Sequence, residues 1–252
     1  MIVADQLTKI YGDAVVVDNV SISIPRGGIT SIIGPNGAGK STLLALLSRL
    51  LPATSGRVTI DGLDVATTLS TTLARRLSVL RQDNHVAARL SVRDLVSFGR
   101  YPHCQGRLTA NDREVIERTI RYLDLDNLAN RFLDELSGGQ RQRALIAMVL
   151  CQDTNYVLMD EPLNNLDMKQ AATMMKLLRR IADDLKKTFV LVMHDINFAS
   201  IYSDHIVAMR EGAIVRQGPP ADILQSEVLR EIFDFDVSIH TIDGRPIGLF
   251  YV

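Results

Sequence analysis

Cysteine is scarce in this sequence, and the two that occur, Cys104 and Cys151, lack the spacing of a metal-binding pair. We therefore expect reduced thiols in a cytosolic protein rather than a disulfide framework or a zinc site. Long hydrophobic runs are also missing, since no stretch approaches the roughly 20 apolar residues that a membrane-spanning helix needs. Residues 1–5 show no basic segment followed by an apolar one, so we expect no secretory signal. A role at a membrane would require a partner.

A charge excess of either sign is absent as well. The chain has 28 basic and 29 acidic residues, which leaves a net charge of -1. No overall field therefore favours nucleic acid or an anionic membrane surface, and we expect no nucleic-acid partner. The 252 residues, 46% of them hydrophobic, are sufficient for one large globular domain.

The N-terminal part of the chain shows the patterns of β-structure. Within residues 1–30, Val20, Ile22 and Ile24 alternate with polar residues, which is typical of a half-buried strand. A short apolar run at 29–33 ends at a glycine-rich loop, and the leucine spacing after that loop predicts a helix over 41–51.

Helical patterns dominate from about 91 to 150, where Thr109 and Asp112 have the spacing of a capping box. The remaining segments include three predicted strands, one amphipathic helix and one hairpin. They are a strand at 57–60, a strand at 156–159, a helix around 171–185, a strand at 189–193 and a hairpin centred on 211–212. Strands that alternate with helices predict an α/β core, and the helical block predicts an insertion at about 88–153.

The loop at 34–41 fits the pattern G-x-x-x-x-G-K-[ST] without a mismatch. Its glycines allow backbone N–H groups to surround phosphate oxygens, and the following helix presents its positive end to the same anion. Lys40 can reach the β- and γ-phosphates, and the Ser41 hydroxyl can hold Mg²⁺. The residues expected to bind nucleotide here are Gly34, Pro35, Asn36, Gly37, Ala38, Gly39, Lys40, Ser41 and Thr42.

Two carboxylates follow the apolar strand predicted at 156–159. Ligands bind at the C-terminal ends of strands in open α/β sheets, so Asp160 and Glu161 are expected beside the phosphate loop. Asp160 can bind Mg²⁺ through water, and Glu161 is left to orient or polarise the attacking water.

A second glycine-bearing loop occurs at 136–140, with the sequence Leu-Ser-Gly-Gly-Gln, before another predicted helix. It forms a second helix N-terminus suited to an anion. One nucleotide does not need two such sites from one subunit, so we expect a homodimer in which each copy covers the ATP of the other. The residues predicted to contact that ATP are Ser137, Gly138, Gly139 and Gln140.

With these motifs, the chain resembles the ATP-binding subunit of an ABC transporter over nearly all of its length. The resemblance implies one domain over 1–252. Its P-loop NTPase (RecA-like) α/β core would carry an N-terminal antiparallel β-subdomain and an inserted α-helical subdomain. It also implies an ATPase that binds integral-membrane permease subunits at the cytoplasmic face of a bacterial inner membrane. A substrate-binding protein would be an indirect partner, and direct contact with the cargo is not expected.

The resemblance also assigns roles to single residues. Tyr11 resembles the aromatic residue that stacks on adenine, and Gln82 resembles the glutamine that contacts Mg²⁺ and couples the site to the permease. His194 resembles the histidine at the γ-phosphate. The implied catalytic residues are Glu161, His194, Lys40 and Gln82, and the implied Mg²⁺ ligands are Ser41, Gln82 and Asp160.

One segment departs from the family pattern. After Glu161 and Pro162 the family commonly has Thr-Ser-x-Leu-Asp, whereas this chain has Leu163 and Asn164 at the first two positions. Contacts at a dimer interface are expected to differ there, although Asn164 retains an amide that could hydrogen-bond across it. Hydrolysis is not put in doubt because Glu161 is present.

The cargo leaves no physical signature in this subunit, and only resemblance bears on it. The segment 97–103, followed by Asp112, is similar to a stretch in ATPases of iron–siderophore, haem and vitamin B12 importers. The segment 164–169 resembles the siderophore members, which favours ferric-siderophore uptake. A proline-broken loop in the helical insertion is the alternative interpretation of 99–103.

Two other classes of function stay open. A soluble ABC-type ATPase of the iron–sulfur assembly type would also have one short cassette. A kinase or GTPase would use the phosphate loop alone, but it would leave the 136–140 motif unexplained.

Overall fold

A computed structural model describes residues 1–82, 88–164 and 166–250 of the protein. Asn165, within the segment 164–169 discussed above, lies outside the described residues. The strands are β1 (Ile2–Tyr11), β2 (Ala14–Ile24), β3 (Gly28–Ile33), β4 (Ser55–Ile60), β5 (Leu63–Asp64), β6 (Leu77–Leu80), β7 (Tyr156–Asp160), β8 (Thr188–Val192), β9 (His205–Arg210), β10 (Ala213–Gly218), β11 (Ser238–Ile242) and β12 (Arg245–Leu249). The α-helices are α1 (Lys40–Leu47), α2 (Ser70–Ala74), α3 (Val92–Phe98), α4 (Tyr101–Cys104), α5 (Ala110–Tyr122), α6 (Gly138–Cys151), α7 (Met168–Leu185), α8 (Ile196–Tyr202), α9 (Pro220–Ile223) and α10 (Ser226–Phe233).

The central sheet has the strand order β10-β9-β3-β8-β7-β6. Its strands run parallel except for β10, which pairs antiparallel with β9. The helices α3 to α6 lie in the chain between the neighbouring strands β6 and β7. A separate antiparallel sheet has the order β2-β1-β4-β5. This architecture confirms the predicted α/β core and the N-terminal antiparallel sheet.

The strands of the central sheet are covered on both faces, as parallel strands usually are. On β7, Val157 and Met159 pack in one hydrophobic cluster, whereas Tyr156 and Leu158 pack in another. The register between β7 and β8 pairs Asp160 with Val192. Both strands therefore end at the same edge of the sheet, and the residues that follow them come close together.

The helix after the phosphate loop is shorter than the predicted 41–51, because α1 ends at Leu47. Arg49 has a left-handed backbone with φ of 58°. Its guanidinium donates to the carbonyl oxygens of Val65 and Thr68 at 3.0 and 2.6 Å. The chain turns away from the helix axis to make these tertiary contacts, which the leucine spacing does not reveal.

Two other local predictions are confirmed. Thr109 and Asp112 form the capping box at the start of α5, and β9 and β10 form a hairpin around Glu211 and Gly212.

The segment 97–103 is an ordered part of the helical block rather than a loop. Arg100 is buried, and its guanidinium donates to Asp112 Oδ1 at 3.0 Å and to the Cys151 carbonyl oxygen at 2.9 Å. Hydrogen bonds from Thr109, with a smaller contribution from Arg100, lower the pKa of Asp112 to about 2. A Cβ on Gly99 would lie 2.2 Å from the Met148 carbonyl oxygen. Packing therefore explains these residues without reference to cargo.

The C-terminal hairpin of β11 and β12 was not predicted. It packs on α8 through Asn197, whose side-chain amide donates to the Gly248 carbonyl oxygen at 3.0 Å and accepts from the Gly248 N–H at 2.8 Å. Ser200 adds a hydrogen bond to the Pro246 carbonyl oxygen at 2.6 Å. Within the described residues, no helix combines the length and apolar character needed to cross a bilayer.

Candidate nucleotide-binding site

The phosphate loop connects β3 to α1 and lies against the turn between β9 and β10. Its backbone is held there by a hydrogen bond from the Gly212 N–H to the Ala38 carbonyl oxygen at 3.2 Å. Gly39 has φ of 92°, and a Cβ there would lie 2.4 Å from the Val16 carbonyl oxygen. At Gly34, with φ of 147°, a Cβ would lie 2.1 Å from the Met209 carbonyl oxygen. The loop therefore needs glycine for both conformation and space.

The helix that follows this loop begins without a side-chain cap. Its first N–H groups have no partner within the helix. They stay available to an anion, and the helix dipole favours negative charge at this end.

Lys40 is buried, with 5% of its surface exposed. Its ammonium donates to the carbonyl oxygens of Gly34 and Pro35 at 2.8 and 2.9 Å. Burial lowers the pKa of Lys40, against the opposing charges of Glu161 and Asp160. The ammonium thus lies inside the loop, where it can exchange these carbonyl contacts for phosphate oxygens.

Ser41 and Asp160 meet across the end of the sheet, with the Ser41 hydroxyl donating to Asp160 Oδ1 at 2.8 Å. Burial raises the pKa of the Asp160 carboxyl, and nearby Glu161 acts in the same direction. Both residues line a cavity of about 360 Å³, together with Tyr11, Thr42 and Gln82. Its oxygen donors are a carboxylate, a hydroxyl and an amide, the hard ligands that Mg²⁺ accepts. No cluster of three or more His, Cys, Asp or Glu arranged to hold a metal occurs among the described residues.

Tyr11 forms part of the wall of this cavity and is about half exposed. The Lys9 ammonium lies 5.0 Å from the centre of its ring. The exposed ring is therefore available to a flat, apolar base.

Glu161 is the first residue after β7 and has three side-chain partners. Its Oε1 contacts His194 Nε2 at 2.5 Å, and its Oε2 accepts from Gln82 Nε2 at 2.8 Å and from Asn164 Nδ2. The backbone N–H of Glu161 donates to the Val192 carbonyl oxygen at 3.2 Å, which ties it to the end of β8. Only 10% of the Glu161 side chain is exposed, against 43% of His194.

His194 reaches Glu161 because the chain turns sharply after β8. Asp195 caps α8 by accepting from the N–H groups of Asn197 and Phe198 at 2.8 and 3.1 Å. This cap fixes the start of α8 directly beside His194.

The loop at 136–140 lies at the N-terminus of α6. Ser137 and Gln140 form a capping box, in which the Ser137 N–H donates to Gln140 Oε1 at 3.0 Å. A separate cavity of about 430 Å³ is lined by Ser137, Gly139 and Gln140 together with residues of α7. None of the described residues lines both this cavity and the one that contains Ser41 and Asp160.

The sequence predictions therefore divide into two groups in the structure. One group comprises Tyr11, Gly34 to Thr42, Gln82, Asp160, Glu161 and His194. Glu161 and His194 line a neighbouring cavity and are joined to the first one by the contact of Glu161 with Gln82. The other group, 137–140, lies at the N-terminus of α6, where Ser137, Gly139 and Gln140 line a different cavity. Sequence reasoning missed that Asn164 contacts Glu161 within the chain, because a three-residue separation in a turn does not specify a side-chain contact.

Comparisons with known proteins agree with these motifs. The family model described as ABC transporter matches residues 17–164. The chain is 50% identical over 251 residues to a petrobactin import ATP-binding protein, YclP, of Bacillus subtilis (strain 168), with 100% of each chain covered. It is also 50% identical over 250 residues to FatE of Bacillus anthracis, which has the same description, with 99% of this chain and 100% of that protein covered.

A solved structure shares the fold. The dimeric structure of a bacterial ABC transporter cassette matches with a TM-score of 0.77 and 29% identity, over 87% of this chain and 99% of that one. The matched family region contains the phosphate loop, the 136–140 motif and both strand-end carboxylates. The chain belongs to the ATP-binding proteins of the ABC transporter family.

Proposed function

We propose that this chain is the ATP-hydrolysing subunit of a bacterial ABC importer for an iron–siderophore complex. The observation that carries the proposal is the arrangement around Glu161, where Gln82 and His194 contact a carboxylate that follows directly on Asp160. Lys40, Ser41 and Asp160 lie at the same edge of the sheet, so one bound nucleotide can be contacted by all of them.

The nucleotide is proposed to lie along the phosphate loop with its adenine on Tyr11. Lys40 exchanges its carbonyl contacts for the β- and γ-phosphates. Ser41, Asp160 and Gln82 are the residues that would hold Mg²⁺, which when bound neutralises part of the charge on the phosphates. The raised pKa of Asp160 fits this role, because a buried carboxylate without a cation is costly.

Glu161 is the proposed base. The water oxygen forms a bond to the γ-phosphorus while the bond to the bridging oxygen breaks, and ADP leaves with that oxygen. One proton of the water passes to Glu161 Oε1 and then to the released phosphate. His194 is proposed to donate to the γ-phosphate once it turns from the carboxylate.

The active form is proposed to be a homodimer. Ser137, Gly139 and Gln140 line a cavity separate from the one at Ser41 and Asp160, which supports a contact with ATP bound to a second copy. The dimer would bind integral-membrane permease subunits at the cytoplasmic face of the membrane. A substrate-binding protein would deliver the cargo, without contact between the cargo and this chain.

The Glu161→Gln variant tests the role of the base. We expect hydrolysis to fall by at least about 100-fold, because the amide cannot accept the proton. ATP binding should persist, so the variant should accumulate as an ATP-bound dimer, measurable by light scattering. Wild-type turnover with the permease present would contradict the assignment.

For the cargo, we propose ferric petrobactin. The support is the 50% identity over full length to two proteins described as petrobactin import ATP-binding proteins. Deletion of the gene should stop growth on ferric petrobactin as the sole iron source and leave growth on haem unchanged. Growth lost only on haem would favour the haem alternative. Co-purification with a soluble scaffold instead of a membrane protein would favour the iron–sulfur assembly alternative.

A further inference from the structure

Asn164 lies on the turn that follows Glu161, and both its backbone and its side chain contact that residue. The Asn164 N–H donates to the Glu161 carbonyl oxygen at 3.1 Å, and its side-chain Nδ2 donates to Glu161 Oε2. Glu161 has φ of 49°, a conformation that is unfavourable for a residue with a Cβ. The two contacts of Asn164 therefore stabilise a turn whose backbone conformation at Glu161 is unfavourable by itself.

The other two partners of the carboxylate come from separate elements. Gln82 follows β6, and His194 follows β8. Each has a proposed contact of its own, Gln82 with Mg²⁺ and His194 with the γ-phosphate. When nucleotide binds, those contacts compete with the ones to Glu161, whereas Asn164 remains tethered to the same turn.

The two carboxylate oxygens are also inequivalent in their surroundings. Oε2 is shared by the amides of Gln82 and Asn164, and Oε1 contacts His194. A third cavity, of about 290 Å³, has Glu161, Asn164 and His194 on its wall. Release of His194 would leave Oε1 open while Oε2 keeps a donor.

We propose that Asn164 is a positioning residue for ATP hydrolysis, which holds Oε2 of Glu161 so that Oε1 faces the attacking water. The inference rests on the proposed role of Glu161 as the base. An amide suits this position because it donates a hydrogen bond without carrying charge. A cationic side chain would instead form an ion pair with the carboxylate and compete with the water for it. The family pattern commonly has a serine here, whereas in this chain the amide of Asn164 contacts the carboxylate.

Two variants test the inference, each close to asparagine in size. Asn164→Asp keeps the shape but replaces the N–H donor with a negatively charged oxygen, and Asn164→Leu loses every polar side-chain atom. We expect kcat to fall about 10- to 100-fold in both, with KM for ATP changed less than about twofold, because misplacement of a reacting group lowers the rate of the step and not ground-state binding. Asn130→Ala, which removes an exposed amide in the helical block, is the matched control and should keep the wild-type kcat.

The Glu161→Gln background separates positioning from an interface role. If Asn164 acts through Glu161, the Asn164→Leu substitution should cause no further loss in that background, because the two effects are not additive. The ATP-bound dimer of the Glu161→Gln variant should also form equally well with and without Asn164→Leu.

Each contrary result has its own meaning. Wild-type kcat in Asn164→Leu, together with an inactive Glu161→Gln variant, would overturn the positioning role and leave the proposed function intact. Loss of the ATP-bound dimer in the double variant would overturn it in favour of an interface contact. Full turnover by Glu161→Gln alone would instead refute the proposed base.

Discussion

The loops that precede α1 and α6 are both rich in glycine and both begin a helix, yet their glycines serve different physical needs. In the first loop, Gly34 and Gly39 have positive φ and lie against backbone oxygens. In the second, Gly138 and Gly139 belong to the helix itself, and a Cβ on Gly139 would meet the side chain of Gln170 at 2.9 Å. Conformation requires glycine in the first loop, and side-chain space favours it in the second.

The two helices also differ in how their N-termini are capped. The helix α1 has no side-chain cap, and its buried Lys40 lies inside the loop. The helix α6 has the capping box of Ser137 and Gln140 on an exposed surface. The uncapped first helix, with Lys40 inside its loop, fits the proposed binding of a phosphate group within one chain. The capped and exposed second helix fits the proposed contact with a ligand held by another copy.

The largest effect is expected at the first loop. The Gly39→Ala variant should lose about 2–5 kcal/mol of unfolding free energy, since a left-handed conformation costs about 1–2 kcal/mol and overlap with the Val16 carbonyl adds about 1–3 kcal/mol. Urea unfolding measures the loss, and titration with a fluorescent ATP analogue should show no saturable binding. An unchanged urea midpoint with normal ATP-analogue binding would show that the first loop accommodates a side chain at Gly39. The two loops would then not differ in their need for glycine.

The next effect is expected at the second loop and concerns activity alone. Gly139→Asp places a carboxylate in the first turn of α6. The negative charge interacts favourably with the positive end of the helix dipole, but it repels the phosphates of ATP bound to a partner. We expect normal folding and ATP binding, with hydrolysis reduced by about 100-fold.

Mixing two inactive variants tests whether each ATP site is formed by residues of both copies. Lys40→Ala should bind ATP poorly, and Gly139→Asp should present a defective surface. A mixed dimer contains one site with both halves intact, so mixing the two inactive variants should restore part of the hydrolysis. No recovery, despite proven subunit exchange, would contradict the cross-dimer arrangement.

The smallest effect is expected for Gly139→Ala, the counterpart of Gly39→Ala. The added Cβ meets only the end of the Gln170 side chain, which can move, and alanine favours a helix over glycine by up to about 1 kcal/mol. Stability should therefore change by less than about 1 kcal/mol in urea unfolding. A loss as large as that of Gly39→Ala would mean that the second loop is also constrained by its backbone.

Much of the fold was predictable because its signals are local. The alternation of Val20, Ile22 and Ile24 and the capping pair of Thr109 and Asp112 each depend on neighbours along the chain, and both appear as predicted. The predicted helix over 41–51 was too long, because contacts of Arg49 with Val65 and Thr68 end it. Such tertiary contacts leave no local pattern.

The site was predictable to a similar extent. Resemblance to the ABC transporter ATPases implied that Gln82, Glu161 and His194 belong to one site, and in the structure Gln82 and His194 both contact Glu161. Their assigned roles, and those of Ser137 to Gln140, remain predictions. The Asn164 contact and the C-terminal hairpin on α8 were not predicted. Both depend on side-chain contacts that leave no local pattern, and the strand β12 contains Pro246, which weakens a strand signal.

The pairing of β7 with β8 also bears on how the site can change in evolution. Asp160, the last residue of β7, meets Ser41, and Glu161, which follows it, meets His194. A shift of β7 by one residue would turn Asp160 to the opposite face of the sheet and move it about 3.3 Å along the strand. The register of β7 against β8 therefore fixes which acid meets Ser41, and an insertion or deletion within either strand should disrupt the site.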